Sequence, residues 1–129
     1  MKVLLDTQVW LWMLTGPEKL RAQRPLLEDP STRLLLSAAS TWEIALKHAL
    51  GRLPLPEPPQ SYVPSRMRST GVEPLPITPG HTLAAAALPL LHRDPFDRLL
   101  LAQAQQLGIP LVTADTALAD HDVELLDIR

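Results

Sequence analysis

The chain has 129 residues, 46% of them hydrophobic and 20% charged, which is enough for one domain with a buried core and too little for two. We therefore expect a single domain over 1–129. No cysteine is present, which excludes a disulfide framework, a thiolate zinc centre and a cysteine nucleophile. The 12 Lys and Arg against 14 Asp and Glu leave a net charge of -2, so whole-protein charge does not advertise a polyanionic ligand. Acids gathered around a divalent cation change that expectation locally, because the metal offsets their charge. Only three apolar residues separate Lys2 from Asp6, too few for the core of a signal peptide. The longest later apolar stretch, Leu83 to Leu91, is far below the roughly 20 residues of a membrane span, so a cytoplasmic protein without a membrane partner is expected.

Lys2-Val3-Leu4-Leu5 is an apolar run that stops at Asp6, as a buried parallel strand reads. Trp10 and Trp12, two apart, face opposite sides if they share a helix. One then enters the core; the other either anchors a partner or packs under a later loop. Pro17 to Leu27 predicts a helix, and Leu34-Leu35-Leu36 a second strand. Trp42, Ala45, Leu46, Ala49 and Leu50 follow the i, i+3, i+4, i+7, i+8 template, with Gly51 placed to end the helix. Leu53 to Pro64 is proline-dense and reads as a loop leading into a short helix. Val72 to Thr78 carries Pro74 and Pro76, which confines any strand there to a sheet edge. Thr78 and Pro79 are N-cap and first residue of a helix to Ala87. Asp94-Pro95 opens another, in which Phe96, Leu99, Leu100, Gln103, Ala104 and Leu107 repeat the template with one polar lapse before Gly108. Pro110 to Thr113 and Val123 to Leu126 read as the remaining strands. Alternating strands and helices predict an α/β domain with a mostly parallel central sheet flanked by helices, its ligands bound beyond the carboxyl ends of the strands. The strands at Lys2, Leu34 and Pro110 are expected at its centre.

Asp6 ends the first strand and Asp115 lies just past the strand closing at Thr113, so both project from the edge where sites form. A lone acid in such a place is equally a turn or cap residue; two together favour function. Asp94 needs nothing more than capping and is also a candidate supporting or substrate-binding residue, whereas Asp97 satisfies the helix dipole and is also placed to meet a metal. For Glu43, Ser40-Thr41-Trp42-Glu43 matches a capping box and Lys47 is an i+4 ion-pair partner, so spacing leaves structural and catalytic roles open. Clustered carboxylates suit Mg²⁺ or Mn²⁺ and, through the metal, hydrolysis of a phosphodiester. His48, His81, His92 and His121 show no metal-ligand spacing and read as surface or capping residues. Lys47, Arg93 and Arg98 are candidates for contact with substrate phosphate.

Four segments in order resemble a PIN-domain ribonuclease, in particular a VapC-like toxin of a bacterial toxin-antitoxin pair. They are Val3-Leu4-Leu5-Asp6-Thr7, Ser37 to Lys47, His92 to Ala104, and Leu111-Val112-Thr113-Ala114-Asp115. The resemblance implies a metal-dependent endoribonuclease whose quartet is Asp6, Glu43, Asp97 and Asp115, with Mg²⁺ or Mn²⁺ as cofactor. It also implies an RNA substrate, an antitoxin partner, a homodimer, and supporting roles for Thr7 and Thr113. Gln8 stands where many relatives of this subtype carry histidine.

Three rival functions compare poorly. A phosphate-accepting signalling domain needs an acceptor aspartate after a middle strand and a lysine after a later one; Leu75 to Gly80 has no acid and Leu111 to Asp115 no lysine. A dinucleotide-binding module needs glycines that Asp6-Thr7-Gln8-Val9-Trp10 lacks. A non-catalytic PIN-like module that binds RNA or protein is the remaining alternative.

Overall fold

The computed structural model describes residues 1–89, 94–115, 118 and 123–128. Five strands, β1 (Lys2–Leu5), β2 (Arg33–Ser37), β3 (Glu73–Leu75), β4 (Leu111–Thr113) and β5 (Leu125–Asp127), form one parallel sheet in the order β3-β2-β1-β4-β5. The three apolar runs expected at the centre are there, and the proline-bearing β3 is an edge strand, where a missing N–H costs no ladder bond. Strand alternation sorts the core into two clusters. Val3, Leu5, Leu34, Leu36 and Val112 face one side; Leu4, Leu35 and Leu111 face the other.

Six α-helices cover the two faces among the described residues: α1 (Thr7–Thr15), α2 (Arg24–Glu28), α3 (Ala38–Ala49), α4 (Pro59–Thr70), α5 (Pro79–Ala87) and α6 (Pro95–Leu107). Trp10 is fully buried, with its indole N–H donating to Thr70 Oγ1 at 3.2 Å, while Trp12 is half-buried against the same cluster, with the Lys19 ammonium 5.9 Å from its ring centre. Thr78 caps α5 as expected: its hydroxyl accepts from the His81 N–H, and His81 Nδ1 accepts from the Thr78 N–H. Gln103, the polar lapse in α6, is buried and donates to Pro76 O and His81 Nδ1, tying α6 to the segment after β3.

Two expectations need correcting. The single helix over Pro17 to Leu27 is a 3-10 segment (Pro17–Gln23) followed by α2, with Arg21 at φ 48° between turns. Pro25 has no N–H to give the Arg21 carbonyl, which instead accepts from Arg24, so the α-ladder cannot run through. The short helix after the proline loop is 12 residues long and runs through Pro64; Gln60 and Pro64 are both exposed, where water can take the carbonyl left without a donor. The structure also sets the facing of α3. Trp42, Leu46 and Leu50 are 57%, 38% and 58% exposed, whereas its buried residues are Ala39, Ser40, Glu43 and Ile44. The apolar stripe points outward.

Gly51 ends α3 in the left-handed region at φ 73°, with its own N–H on His48 O and the Arg52 N–H on Lys47 O at 2.9 Å. An added Cβ meets nothing within 4 Å, so Gly51→Ala should cost only the strain of a side chain in the left-handed region, about 1 kcal/mol. A lower urea midpoint at unchanged slope is the expected reading.

Candidate active site

Strand order reverses between β1 and β4, and a crevice opens there beyond their carboxyl ends. A pocket of about 470 Å³ occupies it, lined by Asp6, Glu43, Asp94, Asp97 and Asp115 with Thr7, Gln8, Lys47 and Arg52. The sequence-derived quartet is thus gathered on one cavity.

Asp6 continues the β1 ladder, its N–H on Val112 O at 2.9 Å, and occupies the N-cap position of α1. Its carboxylate makes no cap hydrogen bond. Oδ2 instead accepts from the Thr113 hydroxyl at 2.7 Å, and that hydroxyl accepts from the Asp115 N–H at 3.0 Å. Thr113 therefore links the two strand-end acids. Burial pushes the Asp6 carboxyl above its ordinary range; the Thr113 hydroxyl and Thr7 N–H pull it down, and the charges of Glu43 and Asp115 push it up again. Thr7 also ties two helices together, because its hydroxyl donates to Ser40 Oγ at 2.8 Å and fixes the start of α1 against α3.

The capping box expected at Ser40 does not form. Ser37 caps α3, accepting from the Ala39 N–H at 3.0 Å, so the helix begins three residues earlier and Glu43 lies in its second turn. There Glu43 is buried and accepts from Lys47 Nζ at 2.6 Å. Hydrogen bonding to Glu43 holds the half-exposed Lys47 ammonium above its usual range. Asp94 caps α6, accepting from the Phe96 and Asp97 N–H groups at 2.9 and 3.3 Å, while also facing the cavity. Asp97 follows in the first turn.

Arg98 does not join the site. It is buried, and its guanidinium donates to the carbonyls of Ala85, Ala86, Leu88 and Pro89 at the end of α5. One residue beyond Asp97, it is rotated about 100° around the helix. His92, Arg93 and His121 lie outside the described residues. Arg52, which sequence reasoning missed, lines the cavity; only the turn at Gly51 brings it there.

The donors are hard oxygens, the set that Mg²⁺ or Mn²⁺ prefers. Among the described residues no three acidic or histidine side chains converge enough to hold an ion directly. Mg²⁺ commonly takes one or two carboxylates and keeps several waters, a mode that fits carboxylates spaced around an open pocket.

Comparison with known proteins bears on the family and the fold. A model of the PIN domain matches residues 3–124. The chain is similar to Ribonuclease VapC22 of Mycobacterium tuberculosis, 32% identical over 92% of this chain and 91% of that protein. Its match to Ribonuclease VapC16 of the same organism is 52% identical but spans 46% of this chain and 42% of the relative. A toxin-antitoxin complex from Klebsiella pneumoniae contains a chain of similar fold, with a TM-score of 0.69 and 17% identity over 98% of each chain.

Proposed function

Because the chain belongs to the PIN-domain family, we propose that it is an endoribonuclease that hydrolyses RNA phosphodiester bonds with Mg²⁺ or Mn²⁺, as the toxin of a toxin-antitoxin pair. The observation that carries the reading is the meeting of Asp6, Glu43, Asp97 and Asp115 on one pocket at the switch point of the sheet. These four would hold the metal, directly or through water. A divalent cation supplies charge neutralisation and Lewis acidity at the scissile phosphate. Thr113 fixes the Asp6 carboxylate and the Asp115 backbone, so the site is pre-formed from the β1 and β4 ends. Asp94 sets the start of α6 and thereby the position of Asp97. Lys47, which also lines the pocket, balances Glu43.

The partner in this reading is an antitoxin, and the toxin itself works as a cytoplasmic homodimer. Support comes from the toxin-antitoxin neighbour and from the exposed stripe of Trp42, Leu46 and Leu50, with Phe96 set edge-on against Trp42 at 5.0 Å. Exposed aromatic and aliphatic groups of this kind favour protein contact. Among the described residues no helix is long and apolar enough to cross a membrane.

Purified protein should cleave RNA with Mg²⁺ or Mn²⁺, stop on chelation and recover when the metal is restored. Undiminished cleavage in EDTA, by protein free of other nucleases, contradicts the metal-dependent reading. RNA binding without cleavage under any divalent metal would instead favour the non-catalytic alternative.

A further inference from the structure

Among the described residues two cations line the acidic pocket, and they differ. Lys47 is spent on Glu43, 2.6 Å away. Arg52 is exposed at the pocket wall, and its guanidinium has no hydrogen-bond or ion-pair partner among the described residues. An arginine that merely balanced the carboxylates would be paired with one, as Lys47 is. Its backbone, moreover, is fixed on both sides. The Arg52 N–H is held by Lys47 O at 2.9 Å beyond the left-handed Gly51, and the next residue, Leu53, has its carbonyl 3.0 Å from His48 Nδ1. A long, charged side chain is thus delivered to the rim by an ordered turn, with its guanidinium uncommitted.

The pocket also continues past this residue. Gln8, Leu11 and Leu53 line both the acidic cavity and a neighbouring cleft of about 320 Å³, whose other walls include Trp12, Lys19 and Tyr62. A strand whose scissile phosphate sits among the acids has a path along that cleft, and Arg52 stands beside Leu53 where the path begins. A guanidinium fork matches two phosphate oxygens and stays charged at any working pH.

We infer that Arg52 is a substrate-positioning residue that binds the RNA backbone phosphate flanking the scissile one, on the side of the Leu53–Trp12 cleft; the inference rests on the ribonuclease reading. Its function is to hold a polyanion against a pocket whose charged residues are mostly acidic. It does not take part in bond breaking.

The test uses Arg52→Ala in two settings. In the cleavage-deficient Asp6→Asn background, binding of a labelled random-sequence single-stranded RNA pool should weaken about tenfold, and the log–log salt slope should become shallower by about 0.7. In otherwise native protein, KM for RNA should rise about tenfold with kcat near wild type. Arg52→Lys should recover part of the affinity, and Arg68→Ala, an exposed arginine on α4 lining neither cavity, should change nothing. The metal-induced rise in melting temperature should be unaltered in Arg52→Ala, which separates this role from metal binding. Unchanged affinity and salt slope, or a fall in kcat at unchanged KM, overturns the assignment. If Asp6→Asn and wild-type protein bind no RNA at all, the ribonuclease reading itself fails and takes the inference with it.

Discussion

Asp6→Asn should lower RNA cleavage by at least about a hundredfold while leaving the metal-free protein as stable as the wild type or more so. The activity estimate follows from the roughly 10–100-fold losses typical when only an outer partner of a metal ligand is removed; losing a ligand should cost no less. The stability half follows from burial. Desolvation, together with the charges of Glu43 and Asp115, holds the Asp6 carboxyl above its unfolded pKa of about 3.9, despite the Thr113 hydroxyl and Thr7 N–H. A carboxyl raised in this way contributes stability that is present below the unfolded pKa and lost as pH rises through the folded one. At neutral pH the ionised group is therefore a cost to the metal-free fold. Asparagine removes that cost and still offers an oxygen to Thr113 Oγ1, now 2.7 Å from Asp6 Oδ2. The advantage of the variant should shrink as pH falls toward the unfolded value. Mg²⁺ or Mn²⁺ should raise the melting temperature of the wild type more than that of the variant, because ligand that binds only the native state stabilises by mass action. Wild-type cleavage by Asp6→Asn, or a large loss of metal-free stability, would make Asp6 a structural residue.

What could be read from sequence was whatever depended on local order. Asp6 and Asp115 follow apolar runs directly, and a parallel sheet turns that local fact into a shared edge. Asp94, Pro95 and Gly108 set the limits of α6 by chemistry confined to a few residues. Glu43 was ambiguous because a capping box and a second-turn position differ only in where the helix begins, and Ser37 rather than Ser40 decides that. The facing of α3 was not legible for a related reason. Its apolar period reports a helix, yet the inner face is spent on the site, with Ser40 bonded to Thr7 and Glu43 lining the pocket. That leaves Trp42, Leu46 and Leu50 outside. Arg52 depends on a chain reversal, and no periodic pattern reports where a reversal points.

Arg98→Ala should be the most destabilising of these substitutions, by about 3–5 kcal/mol, a cost comparable to removing one partner of a buried charged pair. Arg98 is adjacent in sequence to Asp97, which made it a candidate for substrate phosphate. The residue is instead only 8% exposed, and its guanidinium bonds Ala85 O at 2.7 Å, Leu88 O at 2.8 Å, Pro89 O at 3.0 Å and Ala86 O at 3.3 Å. These carbonyls close α5 and begin the segment that leads to α6, where helix carbonyls run short of N–H partners; of the four, Ala85 O also accepts from the Leu88 N–H, at 3.4 Å. A cation at this end is also favoured by the α5 dipole. Truncation strips donors from several carbonyls at once and opens space beside Ala85, itself buried. The loss should appear as a melting temperature lower by on the order of 10 °C. Arg98→Lys should restore only part of it, since one ammonium cannot reach carbonyls spread across the planar fork. Below its transition the alanine variant should keep a KM for RNA close to wild type. A variant of near-native stability with a strongly raised KM would return Arg98 to the substrate and require its guanidinium to leave the end of α5 when RNA binds.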